Sequence, residues 1–486
     1  MKNQSADLVI VGGGGAGMAA AVAAKEAGLD RVIVIEKRPS TGGNAVFANG
    51  IYACNSHLQR LKMIDIDPDE VYRKALEWHR YSQVNPRILR AYINKTASTI
   101  RWLSDKGIEF ELGTEHRMAF NQEPSWHVVA GKGELARFGH VMKVLLAEFK
   151  SKGGELFVKA GCRRILKDDA GRVSGVEVEV DGKISVINTP RVLLSSGGFI
   201  GNRDLLQKYF PYVDDTFEGF FVPMMGDGIT LAGEAGAALE RYSTLVRENC
   251  YSSDKPKESF LTVAAREPNT VWVNRLGRRF VAETVGLHLQ PSANVLTMQP
   301  GNVAYALYDQ RMVDEVARDG WKLPRAPSMK VETDLQDKLR EVAAAGKWVA
   351  IADELEGLAP WIGCDAAALR QTVDEYNGFC SSGYDRDFVK ERRFLDRLGA
   401  GPYYAVKFRT LIIETAGPVR VDEHMHVLDA AYQPVPGLFA AGAITAGWLS
   451  SDYCGEHLFG SALSYAINSA RIACDTAAAY GAGTEV

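Results

Sequence analysis

The chain has 486 residues, 46% of them hydrophobic and 24% charged, which is enough for two or three domains with cores of their own. Its net charge of −4 offers no bulk attraction to nucleic acid or an anionic membrane, and no run of about eighteen apolar residues is present to span one. The seven cysteines are scattered with no Cys-x-x-Cys pair, which argues against a zinc ribbon, an attached c-type haem or a ferredoxin-type cluster and suits a reducing compartment. With neither a signal peptide nor a twin-arginine leader in the first residues, a cytoplasmic enzyme with no metal site is expected.

Asp7 to Val11 read DLVIV, a strand of buried type. Gly12, Gly14 and Gly17 then satisfy G-x-G-x-x-G, with Ala16 inside the turn, and the small-residue helix MAAAVAAKEAG runs from Met18 to Gly28. A second apolar run, Val32 to Ile35, ends at Glu36. Strand, glycine turn, helix, strand and acid form a dinucleotide-binding unit. Gly12 permits the turn, Gly14 admits a pyrophosphate, Gly17 lets helix and strand pack, and the helix N-terminus faces the phosphates. Glu36 stands where a carboxylate accepts both hydroxyls of a ribose.

After Glu36 and Lys37 come Thr41-Gly42-Gly43-Asn44, a second glycine turn, and then Ala48-Asn49-Gly50-Ile51. Here the sequence resembles the FAD-dependent fumarate reductase/succinate dehydrogenase flavoprotein family, whose members carry E-K-x-P-x-x-G-G-N followed by a small-residue stretch. The resemblance implies that Glu36 binds the adenosine ribose, that Gly42, Gly43 and Asn44 line the pyrophosphate, and that Ala48 to Ile51 run beside the isoalloxazine. Members with covalent flavin place a histidine before that stretch. Asn44 to Phe47 contain none, so non-covalent FAD is expected.

Pro68 to about Gly107 is helical by pattern, and Gly131 to Lys150 resembles the family's glycine turn and helix. Leu156 to Val186 alternates with turn signals at Asp169-Ala170-Gly171 and Asp181-Gly182 and reads as a β-meander, with Cys162 on its entry strand. In relatives that meander lies near the adenine. Ser195-Ser196-Gly197-Gly198-Phe199 resembles the family's A-T-G-G-F, and Gly226-Asp227-Gly228-Ile229 its G-D-G-I, followed by an alanine-rich helix expected to reach Leu239.

Val273-Asn274-x-x-Gly277-x-Arg279-Phe280-x-x-Glu283, the strand around Ala304–Asp309, Leu369 to Phe388, and Gly401-Pro402-Tyr403-Tyr404-Ala405 resemble, in order, segments of the domain that caps the flavin in relatives. The chain then returns to the first domain through Pro434-Val435-Pro436-Gly437-Leu438-Phe439-Ala440-Ala441-Gly442. A terminal helix from about Ser461 to Ala479 follows. In relatives its first turn, here Ser461, Ala462 and Leu463, faces the flavin N1–C2=O edge. The expected architecture is α/β: a Rossmann-type FAD-binding domain formed by residues 1–240 and 411–486, with an inserted α+β capping domain at 241–410.

The catalytic pattern departs from the family. Glu414 stands where fumarate reductases place a histidine, and Tyr453 where they place a carboxylate-binding arginine. The proton-donating arginine falls on Val313, with Arg311 out of register, and Gly286 replaces the arginine that follows Glu283. A tyrosine at the Tyr453 position resembles the ketosteroid-dehydrogenase branch, in which a tyrosine hydroxyl polarises a ketone. Glu456-His457 is an acid/base pair near the flavin by chain position, and Arg279 with Glu283 is either functional or an ordinary helical ion pair. His116-Arg117 and His127 are read as structural.

The resemblance implies an oxidoreductase that moves a hydride between flavin N5 and a carbon–carbon bond beside a carbonyl. A ketone or ring substrate is favoured, with an unidentified electron acceptor. The alternatives are a dicarboxylate or unsaturated-acid reductase with relocated arginines such as Arg311 and Arg409, and a flavin-binding partner subunit without turnover.

Overall fold

Leu8–Val11 (β1) is a run of four apolar residues, all buried, as a strand covered on both faces requires. The computed structural model describes residues 4–113, 124–131, 138–219, 224–250, 260–322, 333–455 and 457–481. After β1 come Gly15–Glu26 (α1), Val32–Glu36 (β2), Pro68–Trp78 (α2), Pro86–Ser104 (α3), Phe138–Ser151 (α4), Glu155–Val158 (β3) and Val192–Leu194 (β4). Thr244–Cys250 (β5), Leu289–Thr297 (α5), Val303–Tyr308 (β6), Ala366–Ser382 (α6) and Tyr403–Ala416 (β7) follow, then His426–Leu428 (β8), Pro434–Ala440 (β9) and Ser461–Ala479 (α7).

The nucleotide-binding sheet has the order β8-β9-β4-β1-β2-β3 and is parallel except at the β8–β9 edge. α1 is alanine-rich because it is wedged between this sheet and α7. The Cys474 Sγ of α7 reaches the Ala20 carbonyl, and a Cβ on Gly15 would come within 2.8 Å of Leu463. The helical stretch after Pro68 is two helices rather than one, each opened by a proline behind an Asp or Asn cap. The expected meander starts at Ala160 rather than Leu156, as antiparallel strands Ala160–Lys167, Val173–Val180 and Lys183–Asn188, because Glu155–Val158 pairs in parallel with β2 as the edge of the nucleotide-binding sheet. The helix after Gly226 stops at Glu234 instead of reaching Leu239, because Gly236 turns the chain at φ +95°.

β7 runs for 14 residues and pairs with β5, β6, Val349–Ala352 and Glu218–Gly219. Two hydrophobic cores are built only from residues between Val271 or Phe260 and Phe408, and a third joins residues 6–246 to 412–477. β7 therefore passes out of the inserted unit and ends in the core of the nucleotide-binding unit. There the Thr415 hydroxyl accepts from the Phe199 backbone N–H at 2.8 Å.

Candidate active site

The glycine turn forms as its spacing requires. A Cβ on Gly12 would lie 2.7 Å from the Ser195 carbonyl oxygen, and one on Gly17 only 1.8 Å from that of Gly12. Gly14, by contrast, faces open space. The first turn of α1 has no side-chain cap, so its N–H groups and dipole are left for an anion. Gly42 lies beside Gly14 in a parallel bridge and donates its N–H to the Gly13 carbonyl, which sets the second glycine turn, with Gly43 and Asn44, against the first.

Glu36 ends β2 with Oε2 accepting from the Gly13 N–H at 2.8 Å and Oε1 from the Arg38 N–H at 2.7 Å. Both oxygens are fixed by backbone donors and keep a lone pair for a ribose hydroxyl. Lys37, Cys162 and Asp227 line one depression, and Lys37 pairs with Asp227. Burial pushes the Cys162 thiol up to about 12, so it is no thiolate.

Gly442 packs on Ala16, and its N–H donates to Ser469 Oγ at 3.0 Å. Gly50 is pressed against the His127 carbonyl, so no side chain fits there, and Gly460 turns at φ +82° with Trp126 close by. Gly197 turns at φ +79°, and Gly198 packs on Thr415. The buried Ser196 Oγ and Asn49 Oδ1 have no hydrogen-bond partner among the described residues. An uncapped helix start, an open glycine, an oriented ribose acceptor and these buried polar atoms fit an FAD molecule. Glu36 would hold its ribose, the α1 turn its pyrophosphate, and the Asn49–Gly50 and Ser461–Leu463 stretches its ring.

Around the ring site, Tyr453 is buried. Its oxygen accepts from the Gly460 N–H at 3.0 Å and lies against the Ser461 and Ala462 amides, at the start of α7. Burial raises it to about 12, a rise moderated first by the Ser461 hydroxyl beside it and then by those amides. Glu414 lies near the FAD-domain end of β7, opposite Val246 of β5. Its side chain is half-buried. Burial raises its carboxyl from an ordinary 4.5 to about 7. The repulsion of a substrate carboxylate expected from a charged Glu414 is therefore weakened, since much of it is neutral at pH 7.

His457 reaches the C-terminal part of α2, near Lys74, Glu77 and His79, and burial lowers its pKa. Glu456 lies outside the described residues, as do His116 and Arg117. His127 is fully buried, with Nε2 2.7 Å from Ser56 Oγ and Nδ1 3.0 Å from the Ser125 carbonyl, a structural anchor.

Arg279 and Glu283 are paired at 2.7 Å inside the cap. Arg279 also binds Asp385 at 2.7 Å, and Glu283 binds Lys390 at 3.1 Å. Glu283 is fully buried, and despite that burial Lys390 and Arg279 hold its carboxyl below the usual range. Among the other arginines considered, Arg311 is tied to Glu315 and Asp396 with 45% of its side chain exposed, and Arg409 to Glu218.

The motifs single out none of Arg247, Gln290, Asn294 and Asp452, which meet where the cap touches the loop before Tyr453. Gln290, Asn294 and Thr297 share one face of α5, a polar face at helical spacing, and that spacing is the signal available in the sequence. His79 is likewise missed. Its Nδ1 lies 2.8 Å from Ser450 Oγ, and burial lowers it to about 4, so it is neutral.

Comparison with known proteins agrees with this geometry. The family described as FAD binding domain matches residues 7–452. The chain is 30% identical to the vinyl phenol reductase of Lactiplantibacillus plantarum, over 99% of this chain and 97% of that one. It is also 30% identical to the fumarate reductase (cytochrome) of Shewanella frigidimarina, over 98% of this chain and 78% of that one. The fold matches the crystal structure of 3-ketosteroid Δ1-dehydrogenase from Sterolibacterium denitrificans with a TM-score of 0.77 at 20% identity, covering 98% of this chain and 100% of that one. The chain belongs to the FAD-binding-domain family that includes the fumarate reductase flavoproteins and the ketosteroid dehydrogenases, and it is an FAD-dependent oxidoreductase acting on CH–CH bonds.

Proposed function

We propose that the enzyme works on a carbon–carbon bond conjugated with a ketone or an oxygen-bearing ring, in the reductive direction, with FAD held non-covalently. FAD, when bound, supplies N5 as the hydride donor or acceptor. The observation that carries this reading is Glu414: a half-buried carboxyl raised to about 7, on a β-strand anchored beside Gly198, next to the stretch that fits the flavin. An acid poised near neutral pH gives a proton to one carbon as the other takes hydride, and takes it back in the reverse direction. Tyr453 supports the same reading. Its oxygen accepts from Gly460, and its own proton can turn from the neighbouring Ser461 hydroxyl to an oxygen that gains negative charge.

Two further points favour a substrate other than a dicarboxylate. Arg311 and Arg409 are committed to other carboxylates, and the vinyl phenol reductase relative is named for a ring substrate.

The test is a screen of fumarate, cyclic enones, vinyl phenols and their saturated counterparts, followed by flavin oxidation. Enone or vinyl phenol turnover is expected. Rapid fumarate turnover with none on the others overturns the proposal. Glu414→Gln supplies the mechanistic arm. For the parent, reductive kcat/KM should fall as pH rises through about 7. In the variant that limb should vanish, and the rate should drop by about 10²–10⁴. Stability gives an independent reading. Folded Glu414 binds more protons than the unfolded chain between 4.5 and about 7, so its burial costs stability as pH rises across that window. The slope is at most about 1.4 kcal/mol per pH unit. Chemical denaturation of Glu414→Gln across the window should show that slope gone.

A further inference from the structure

Arg247 lies on β5, one residue past Val246, the strand partner of Glu414. Its side chain is only 8% exposed. A buried guanidinium needs compensation, and its neighbours in the cap have it: Arg266 pairs with Glu248, and Arg279 with Glu283 and Asp385. Arg247 is served differently. One terminal nitrogen donates to Thr297 Oγ1 at 2.9 Å and the other to Asn294 Oδ1 at 2.6 Å, both neutral acceptors. Among the described residues the carboxylate that pairs with it, Asp452, stays at 3.8 Å, beyond hydrogen-bond distance. Asp452 is held there by Gln290 Nε2 at 3.3 Å and Asn294 Nδ2 at 3.4 Å. The Nε–H of Arg247 has no acceptor among the described residues. A buried, charged donor with no acceptor among the described residues is costly, and a ligand oxygen would supply one.

The surroundings say where that acceptor comes from. Asp452 precedes Tyr453, so Arg247 links the strand paired with that of Glu414 to the loop that carries Tyr453. Tyr212, 51% exposed, lays its ring 5.6 Å from the guanidinium and forms the outer wall.

We propose that Arg247 anchors one oxyanion of the substrate, a phenolate or carboxylate oxygen. This rests on the reading of the enzyme as one that takes a ring or ketone substrate. The Arg247 Nε–H and one terminal N–H would donate to that oxygen, the geometry a guanidinium offers. Asp452, fixed at its distance by α5, tempers the site so that one added negative charge is bound and two are not favoured.

The experiment uses the FAD-loaded protein and three ligands that cannot be reduced at a C=C bond: a nitrophenol at mildly alkaline pH, where it is ionised, an arylcarboxylate, and an uncharged arene of similar size. Binding is read by calorimetry and by perturbation of the flavin spectrum, not by turnover. The parent should bind at least one of the anions more tightly than the arene, and whichever anion wins identifies the oxygen chemistry. Arg247→Met should weaken that anion by about 10–100-fold and leave the arene within a factor of two. Arg247→Lys should recover part of the loss, because it restores charge without the planar fork. Asp452→Asn removes the competing charge at nearly constant shape and should tighten the anion several-fold, a result that a packing role for Arg247 does not produce.

The proposal is overturned if the arene binds as well as both anions, or if Arg247→Met weakens all ligands equally. It is also overturned if Asp452→Asn leaves anion affinity unchanged or weakens it. Should Arg247→Met fail to retain FAD, the Lys and Asp452→Asn variants decide. Anion binding that depends on Arg247 in an enzyme that turns over no enone or vinyl phenol would refute the substrate reading and leave the anchor standing. Turnover of those alkenes without any Arg247 dependence of anion binding would do the reverse.

Discussion

Tyr453 has one oxygen and one proton, and the fold has already committed the oxygen. The Gly460 N–H donates to it at 3.0 Å, and α7 has no side-chain cap of its own, so the phenol acts as that cap from outside the helix. The proton can turn from the neighbouring Ser461 hydroxyl to another acceptor, and burial, which raises the phenol to about 12, keeps it on the oxygen at neutral pH. Tyr453→Phe therefore removes two things at once. Cofactor-stripped protein should lose about 1 kcal/mol of stability, the net worth of one hydrogen bond. Turnover should fall by about 10²–10³ if the proton serves a developing oxyanion. Denaturation of the stripped protein and steady-state kinetics of the loaded one separate the two effects. A stability loss with turnover within a factor of two would leave Tyr453 as a helix cap alone. The residue's position was legible in the sequence by counting from Ala440-Ala441-Gly442, but its use as an acceptor was not. That depends on Gly460, which the loop folds back onto the ring.

At the scale of elements, the local signals did most of the work where they coincided. α7 begins at Ser461 as expected, because Gly460 at φ +82° turns the chain into it. The glycine turn at Gly12–Gly17 and the meander from Ala160 also follow from local residue choice. What could not be read locally was partnership across distant segments. The Arg279–Glu283 spacing permits an ordinary helical pair, and only the fold shows that Asp385 and Lys390 arrive from beyond α6 to close a buried cluster around it. Likewise, nothing local marks Arg247 and Asp452 as neighbours, since they come from the cap and from the loop before Tyr453.

The cluster gives the cap a testable dependence. Glu283→Ala leaves Arg279 and Lys390 buried with Asp385 as their remaining carboxylate in the group. A loss of about 3–5 kcal/mol is expected, as for other buried pairs broken on one side. Hydrogen exchange should quicken on Val271–Val273 and along β6, and stay unchanged on β1 and β2. Glu283→Gln that folds normally yet slows proton uptake from solvent would instead make Glu283 part of a proton route.

At the scale of the whole molecule, the residues that fit FAD come from both ends of the chain. Gly12, Gly14, Glu36 and Gly42 belong to the first segment, and Gly442 and the start of α7 to the last, with the cap inserted between them. α1 and α7 already pack on each other, and a bound cofactor would add a second tie between the same two segments. Because FAD would bind the folded state and not the unfolded one, its contribution follows mass action: about 4.1 kcal/mol when free FAD is a thousand times Kd. Stripping FAD should therefore lower Tm, and added FAD should restore it in a concentration-dependent way.

Glu36→Ala removes the ribose acceptor and also leaves the Gly13 and Arg38 N–H groups without their carboxylate. It should weaken FAD retention by roughly 1.5–3 kcal/mol. Its Tm should accordingly approach the parent's only at higher FAD. Equal FAD dependence in variant and parent would remove Glu36 from the site. The same preparation settles how the cofactor is attached. No histidine lies between Asn44 and Phe47, so acid precipitation should release intact FAD into the supernatant, and yellow colour retained in the washed pellet would establish a covalent bond at another residue.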